Sequence, residues 1–148
     1  MKKTLRFFTL AALIVLAAVF FSGCAKKVNF ADLSLGMEKG AVASVMGSKY
    51  ETMTSPDRFV YKNGKFADLI TPPGDTKIVY FFNSKNEMYC VCYYLYGAKS
   101  GEYNKALEDL TAKYGEPNDR EEDSALWAED GFSVTLTKTD DYVGISMY

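Results

Sequence analysis

The 148-residue chain contains no histidine, only three cysteines and four prolines, and no sustained run of lysine or arginine. Each absence excludes something. Without histidine, the usual general base at neutral pH and the commonest metal ligand are both missing, and acid–base chemistry would fall to carboxylates, lysine or tyrosine. With no basic run and a formal net charge of −2, nucleic acid is not expected as a partner. No glycine-rich phosphate loop and no Gly-x-Ser-x-Gly turn is present. The densest acidic groups, Glu121-Glu122-Asp123 and Asp140-Asp141, lack the alternating carboxylates and turn glycine of a calcium loop. Both fall in predicted connectors, where runs of charge are solvated. Neither a catalytic residue, a metal nor a cofactor is expected.

What the chain does have begins at its N-terminus. Met1-Lys2-Lys3-Thr4-Leu5-Arg6 carries three positive charges and no negative one, and an apolar stretch over residues 7–21 follows, broken only by Thr9. That stretch is too short for a spanning helix, which needs about 20 apolar residues. Small residues Ser22 and Gly23 then lead directly into Cys24. These are the three parts of an export signal, and Phe21-Ser22-Gly23-Cys24 resembles the lipobox of bacterial lipoproteins. The resemblance implies cleavage before Cys24 and a diacylglyceryl thioether on its sulfur. Two or three acyl chains would hold the mature chain stably on a membrane surface. Residues 1–23 are thus expected to be a signal peptide, and residues 24–29 the lipidated cysteine with a short tether. Loss of the signal removes three of the 17 basic residues and moves the net charge from −2 to −5. The site is expected in the cell envelope: the outer membrane if the cell has one, otherwise the extracytoplasmic face of the plasma membrane.

Residues 30–148 read as one domain of mixed elements. A short helix ends at Met46, with Gly47 as its stop. A strand is predicted over 58–62, before the turn signal Asn63-Gly64 and the loop Pro72-Pro73-Gly74-Asp75. The strongest strands are 77–82 and 87–96, rich in β-branched and aromatic residues. The best helix starts near Ser100. Tyr103, Ala106, Leu107, Leu110 and Tyr114 make its apolar stripe, and Gly115 with Pro117 ends it. Strands over 124–129, 132–137 and 142–148 follow, with Asp130-Gly131 and Thr139-Asp140-Asp141 as turns. Phe59 and Trp127 each stand 12 residues after the glycine that closes a helix. The predicted fold is therefore α+β: two helices packed on one face of an antiparallel sheet, built from a duplicated helix–strand–strand–strand unit with halves of about 30–97 and 98–148.

Cys90 and Cys92 lie two apart in a strand, which puts them on one face at the far limit of disulfide geometry. They read first as small apolar residues. The strand Met88-Tyr89-Cys90-Val91-Cys92-Tyr93-Tyr94-Leu95-Tyr96 has no charge on either face. Alternation gives faces of Met88/Cys90/Cys92/Tyr94/Tyr96 and Tyr89/Val91/Tyr93/Leu95, of which only one packs under helices. With 11 tyrosines in the chain, Tyr89, Tyr93, Tyr94 and Tyr96 are the candidate binding residues, since tyrosine offers apolar area with a polar tip.

Leu35-Gly36-Met37-Glu38-Lys39, Val42 and Val45-Met46-Gly47 resemble the opening of the SmpA/OmlA (BamE-type) lipoproteins and of the β-lactamase-inhibitor-protein-like superfamily. Residues 103–117, Trp127 and the closing strands are similar to the repeat of that superfamily. The resemblance implies a small envelope scaffold or binding domain. The expected function is accordingly a lipid-anchored, non-enzymatic protein-binding or assembly module with an envelope protein partner. The alternative is an envelope enzyme inhibitor that reaches a target with an acidic loop such as Asp140-Asp141.

Overall fold

The computed structural model describes residues 29–70 and 74–148. The signal segment, Cys24, most of the tether and the Pro72-Pro73 pair lie outside the described residues. Two α-helices, α1 (Lys39–Met46) and α2 (Ser100–Tyr114), accompany eight strands: β1 (Glu51–Thr54), β2 (Asp57–Lys62), β3 (Thr76–Phe82), β4 (Met88–Tyr96), β5 (Asp119–Arg120), β6 (Ser124–Glu129), β7 (Phe132–Lys138) and β8 (Tyr142–Met147). All eight join one antiparallel sheet in the order β1-β2-β3-β4-β8-β7-β6-β5. The two sequence-distant strands β4 and β8 meet at its centre, with Cys92 opposite Ser146 and Tyr94 opposite Gly144.

This corrects the expected fold. Strand outweighs helix by 42% to 22%, and one eight-stranded sheet, not a helix-packed α+β arrangement of duplicated units, organises the chain. The physical reason is twofold. Strands β1 and β5 are short and exposed along their whole length, with Met53 their single apolar residue, so they carry no apolar alternation to betray them. The cover over the sheet is also not chiefly helical. Helix α1 buries a single side chain, Val42. Much of the remaining cover comes from irregular segments, through Phe30 and Leu33 before α1 and Phe66 and Leu69 in the β2–β3 connection.

The inner face is the core. Phe59 and Tyr61 of β2, Ile78, Tyr80 and Phe82 of β3, and Val91, Tyr93 and Leu95 of β4 alternate into it. So do Ala125 and Trp127, Val134 and Leu136, and Val143, Ile145 and Met147. Helix α2 adds Tyr103, Ala106, Leu107 and Leu110 from one stripe, as its periodicity predicts. Lys99 is its N-cap. The Glu102 carboxylate accepts a hydrogen bond from the Lys99 amide at 2.8 Å, satisfying a donor the helix leaves free.

Both helix ends are tied to the sheet by the polar tip of a core aromatic. The Tyr61 hydroxyl donates to the Gly47 carbonyl at 3.0 Å, and the Trp127 indole N–H donates to the Gly115 carbonyl at 2.9 Å. Gly47 and Gly115 hold φ of 87° and 82°, which glycine adopts without steric penalty. The residue that meets Gly47 is thus Tyr61, two positions beyond the expected Phe59.

A single carboxylate fastens the irregular cover. Asp68 accepts from the amides of Phe30 (2.6 Å) and Ala31 (3.3 Å), capping the 3-10 turn Phe30–Asp32, and pairs with Lys113 near the end of α2. Partial burial alone would raise the Asp68 carboxyl. The hydrogen bonds from Lys113, Phe30 and Ala31 win and hold it below the ordinary carboxylate value. Phe66 then wedges edge-on between Phe30 and Tyr93, each ring centroid 5.3 Å away.

Candidate functional site

Among the described residues, no helix lies over the outer face of the sheet: the helix side chains in the core belong to the inner-face cluster. Its middle row runs across the strands through Val60, Val79, Cys92, Ser146, Thr135 and Leu126. Val60, Val79 and Cys92 are nevertheless buried, at 7%, 6% and 8% exposure. These small side chains sit in a trough between longer ones.

One wall of the trough is a tyrosine cluster. The Tyr94 ring meets Tyr142 edge-on at 5.3 Å and Tyr96 at 6.2 Å, and Tyr96 meets Tyr142 at 6.0 Å. Gly144, opposite Tyr94, makes this closure possible. A Cβ there would stand 3.1 Å from the Tyr142 ring and 3.8 Å from Tyr94. The Lys77 ammonium lies 5.1 Å from the Tyr96 ring centre, a cation–π contact. Beside it, an open cleft of about 440 Å³ is lined by Lys62, Asn63, Asp75, Thr76, Lys77 and Tyr96. Lys62 is engaged by Glu51 at 2.5 Å and the Thr76 hydroxyl by the Gly64 carbonyl at 2.7 Å. The cleft therefore offers an aromatic ledge, the Lys77 cation and the Asp75 carboxylate.

The opposite wall is Arg58, Phe81 and Tyr89. The Arg58 guanidinium sits 5.9 Å from the Phe81 ring and the Tyr89 ring 6.1 Å from it. A β-bulge brings Tyr89 here. The register slips between Phe81, opposite Cys90, and Phe82, opposite Met88, leaving Tyr89 as the extra residue. Strict alternation put Met88 with the cysteines and Tyr89 with Val91. The bulge reverses both: Met88 is buried in the core and Tyr89 is 48% exposed.

Of the four predicted binding tyrosines, Tyr94 and Tyr96 share the outer-face cluster and Tyr89 stands across the trough from them. Tyr93 is fully buried on the inner face beneath Phe66, with its hydroxyl 3.5 Å from the Ile70 carbonyl, so it is not part of this surface. Sequence reasoning passed over Tyr142, although its period-two spacing from Gly144 and Ser146 places it on the same face. Cys24 lies outside the described residues. Glu121, Glu122, Asp123, Asp140 and Asp141 are exposed, with Asp123 paired to Lys138 at 2.5 Å. Among the described residues, no three His, Cys, Asp or Glu side chains converge as metal ligands would.

The sequence pattern of the TP0088 domain matches residues 28–145, which is most of the chain and takes in the entire sheet except its last residues. The chain belongs to the TP0088 domain family. No curated protein and no solved structure matches it. Within the TP0088 domain, the outer face is where tyrosines and sulfur gather with no covering element among the described residues, and it is the candidate site.

Proposed function

We propose that the chain is a lipid-anchored cell-envelope protein, held by Cys24, whose TP0088 domain acts as a non-enzymatic protein-binding or assembly module. The observation that carries this reading is the Tyr94–Tyr96–Tyr142 cluster on a sheet face that no helix covers. Clustered tyrosines give a partner apolar area at little entropic cost and hydroxyls to hydrogen-bond at its edge. Export and anchoring are supported by the lipobox-like Phe21-Ser22-Gly23-Cys24 and the charged and apolar segments before it. The resemblance of the Leu35–Gly47 segment to the BamE-type opening agrees with an envelope role.

The test is in-cell photo-cross-linking from position 96, with and without Cys24→Ala, followed by mass spectrometry of the captured species. A discrete envelope protein captured only by the anchored form is the expected result. Capture of lipids and abundant bystanders alone, the same from position 96 as from an exposed inner-side position such as Lys105, would sink the reading.

A further inference from the structure

Cys90 and Cys92 are more than a pair of small packing residues. Their sulfurs lie 3.6 Å apart on the outer face, in direct contact. The Ser146 hydroxyl, directly across from Cys92 on β8, donates to its sulfur at 3.4 Å. Cys90 is half-buried and Cys92 buried, so solvent reaches the pair through Cys90.

The geometry points to a thiol–disulfide exchange site, in which Cys90 attacks an incoming disulfide and Cys92, positioned by Ser146, resolves it. In the first step the Cys90 thiolate forms a bond to one sulfur of R–S–S–R, giving Cys90–S–S–R and releasing RS⁻. In the second, the Cys92 sulfur attacks the Cys90 sulfur, closing Cys90–Cys92 and expelling the second RS⁻. The dithiol loses two electrons to the co-reactant disulfide, and its two protons end on the two departing thiols.

Ionisation places the resting thiolate on Cys92, the neighbour of the attacking sulfur. The hydrogen bond from Cys90, with others from the Ser146 and Tyr94 hydroxyls, brings the Cys92 thiol down to about 6 against the opposing effect of burial. The shared proton drives Cys90 far up in turn. The pair thus ionises as a unit: the first proton leaves easily, the second with difficulty. Either sulfur can donate across the 3.6 Å contact, so Cys90, the sulfur an incoming disulfide can reach, becomes the attacking thiolate by passing its proton to Cys92. The other titratable or charged groups on this face of β1–β4 and β8 are Tyr89, Tyr94 and Tyr96 on the same strand, Tyr142 on β8, Lys77 on β3, Arg58 and Lys62 on β2, and Glu51 on β1.

The disulfide would also be a labile one. Residues i and i+2 of a strand are about 6.6–6.8 Å apart at Cα, the upper end of disulfide geometry. Here β4 is hydrogen-bonded to β3 on one side and β8 on the other, so closing the bridge must pull the strand against both ladders, beside the bulge at Tyr89. A strained bridge is readily reduced, as suits exchange rather than a structural staple.

The experiment uses the full chain carrying Cys24→Ser, so that Cys90 and Cys92 are its only thiols, treated with oxidised glutathione and read by intact mass and peptide mapping. The expected product is an intramolecular Cys90–Cys92 disulfide, reopened by reduced glutathione. Cys92→Ser should stop at a stable glutathione adduct on Cys90, and Cys90→Ser should react about tenfold more slowly. Ser146→Ala, with its fold verified by circular dichroism, should raise the pH midpoint of thiol reactivity, an effect that a purely packing role would not produce. The proposal is overturned if the parent chain keeps a single unresolved adduct, fails to react, or has thiols no more reactive at neutral pH than those of the unfolded chain.

Discussion

The two faces of the sheet are buried by different means. The inner face is covered by other parts of the chain: α2, the segment around Phe30 and the connection carrying Phe66 and Leu69. The outer face covers itself, with small residues in the middle row shaded by tyrosine, lysine and arginine side chains from the rows beside it. The lesson is that low exposure alone does not identify a core. Val79 and Ile78 are adjacent and both buried, yet one is sealed by packed chain and the other only by side-chain rotamers. The inner face should therefore carry stability, and the outer face should tolerate change while controlling what binds.

Removing cover from the inner face should produce the largest effect. Phe66→Ala deletes a ring packed against both Phe30 and Tyr93 and is expected to cost about 3–5 kcal/mol, measured by urea unfolding. A loss below about 1 kcal/mol would mean that the β2–β3 connection is not part of the core.

Asp68→Asn comes next, at about 1–3 kcal/mol, because it leaves two amides and a lysine without their charged partner. The pH dependence has a definite sign. The folded carboxyl is held below its unfolded value, so its contribution is present in full above the unfolded pKa and is lost as pH falls through the folded one. Parent and variant stabilities should converge in acid. A constant gap at all pH values would show that Asp68 acts by shape alone.

Trp127→Phe keeps most of the core volume and removes the indole donor to the Gly115 carbonyl. A loss of about 1–2 kcal/mol is expected, with faster amide exchange confined to the last turn of α2. Uniform loss of protection across the sheet would instead implicate packing.

On the outer face, Gly144→Ala should shift the Tyr94 and Tyr142 rings apart by a few tenths of an ångström. The stability cost should stay at about 1 kcal/mol, while cross-linking from position 96 changes its pattern. Tyr89→Ala should be the mildest, within about 0.5 kcal/mol for an exposed side chain, yet it should weaken partner capture. Equal stability costs on the two faces would erase the distinction between them.

The sequence made its strongest patterns legible. The stripe of α2, the apolar strands β3 and β4, and the two-residue Asp130-Gly131 hairpin all appear where periodicity and turn chemistry put them. Strands β1 and β5 were invisible because edge strands with both faces wet need no apolar period. Asn63-Gly64 signalled a hairpin, and Asn63 does take φ of 54°, but the chain runs on through residues 64–75 before β3 begins. That excursion supplies Phe66, Leu69 and Asp68, a long-range role that no local pattern encodes. The candidate site was half readable. Tyr94, Tyr96 and the cysteines fall on one face by simple alternation, whereas the exchange of Met88 for Tyr89 depends on a bulge that is decided by pairing with β3. Tyr142 joins only because β8 returns to lie beside β4.

The two ends of the sheet have a consequence for how copies coexist. Strand β5 is two residues long and both are charged, and β1 is four residues long with Glu51 held by Lys62 of its neighbour. Neither edge offers the long, flat, apolar row of free amides and carbonyls on which a second copy could continue the ladder. A domain gathered at high density in two dimensions meets its own kind far more often than one free in solution. Under the proposed anchoring, blunt ends would let such a population stay a collection of single sheets, with the broad face between them left for the partner proposed above.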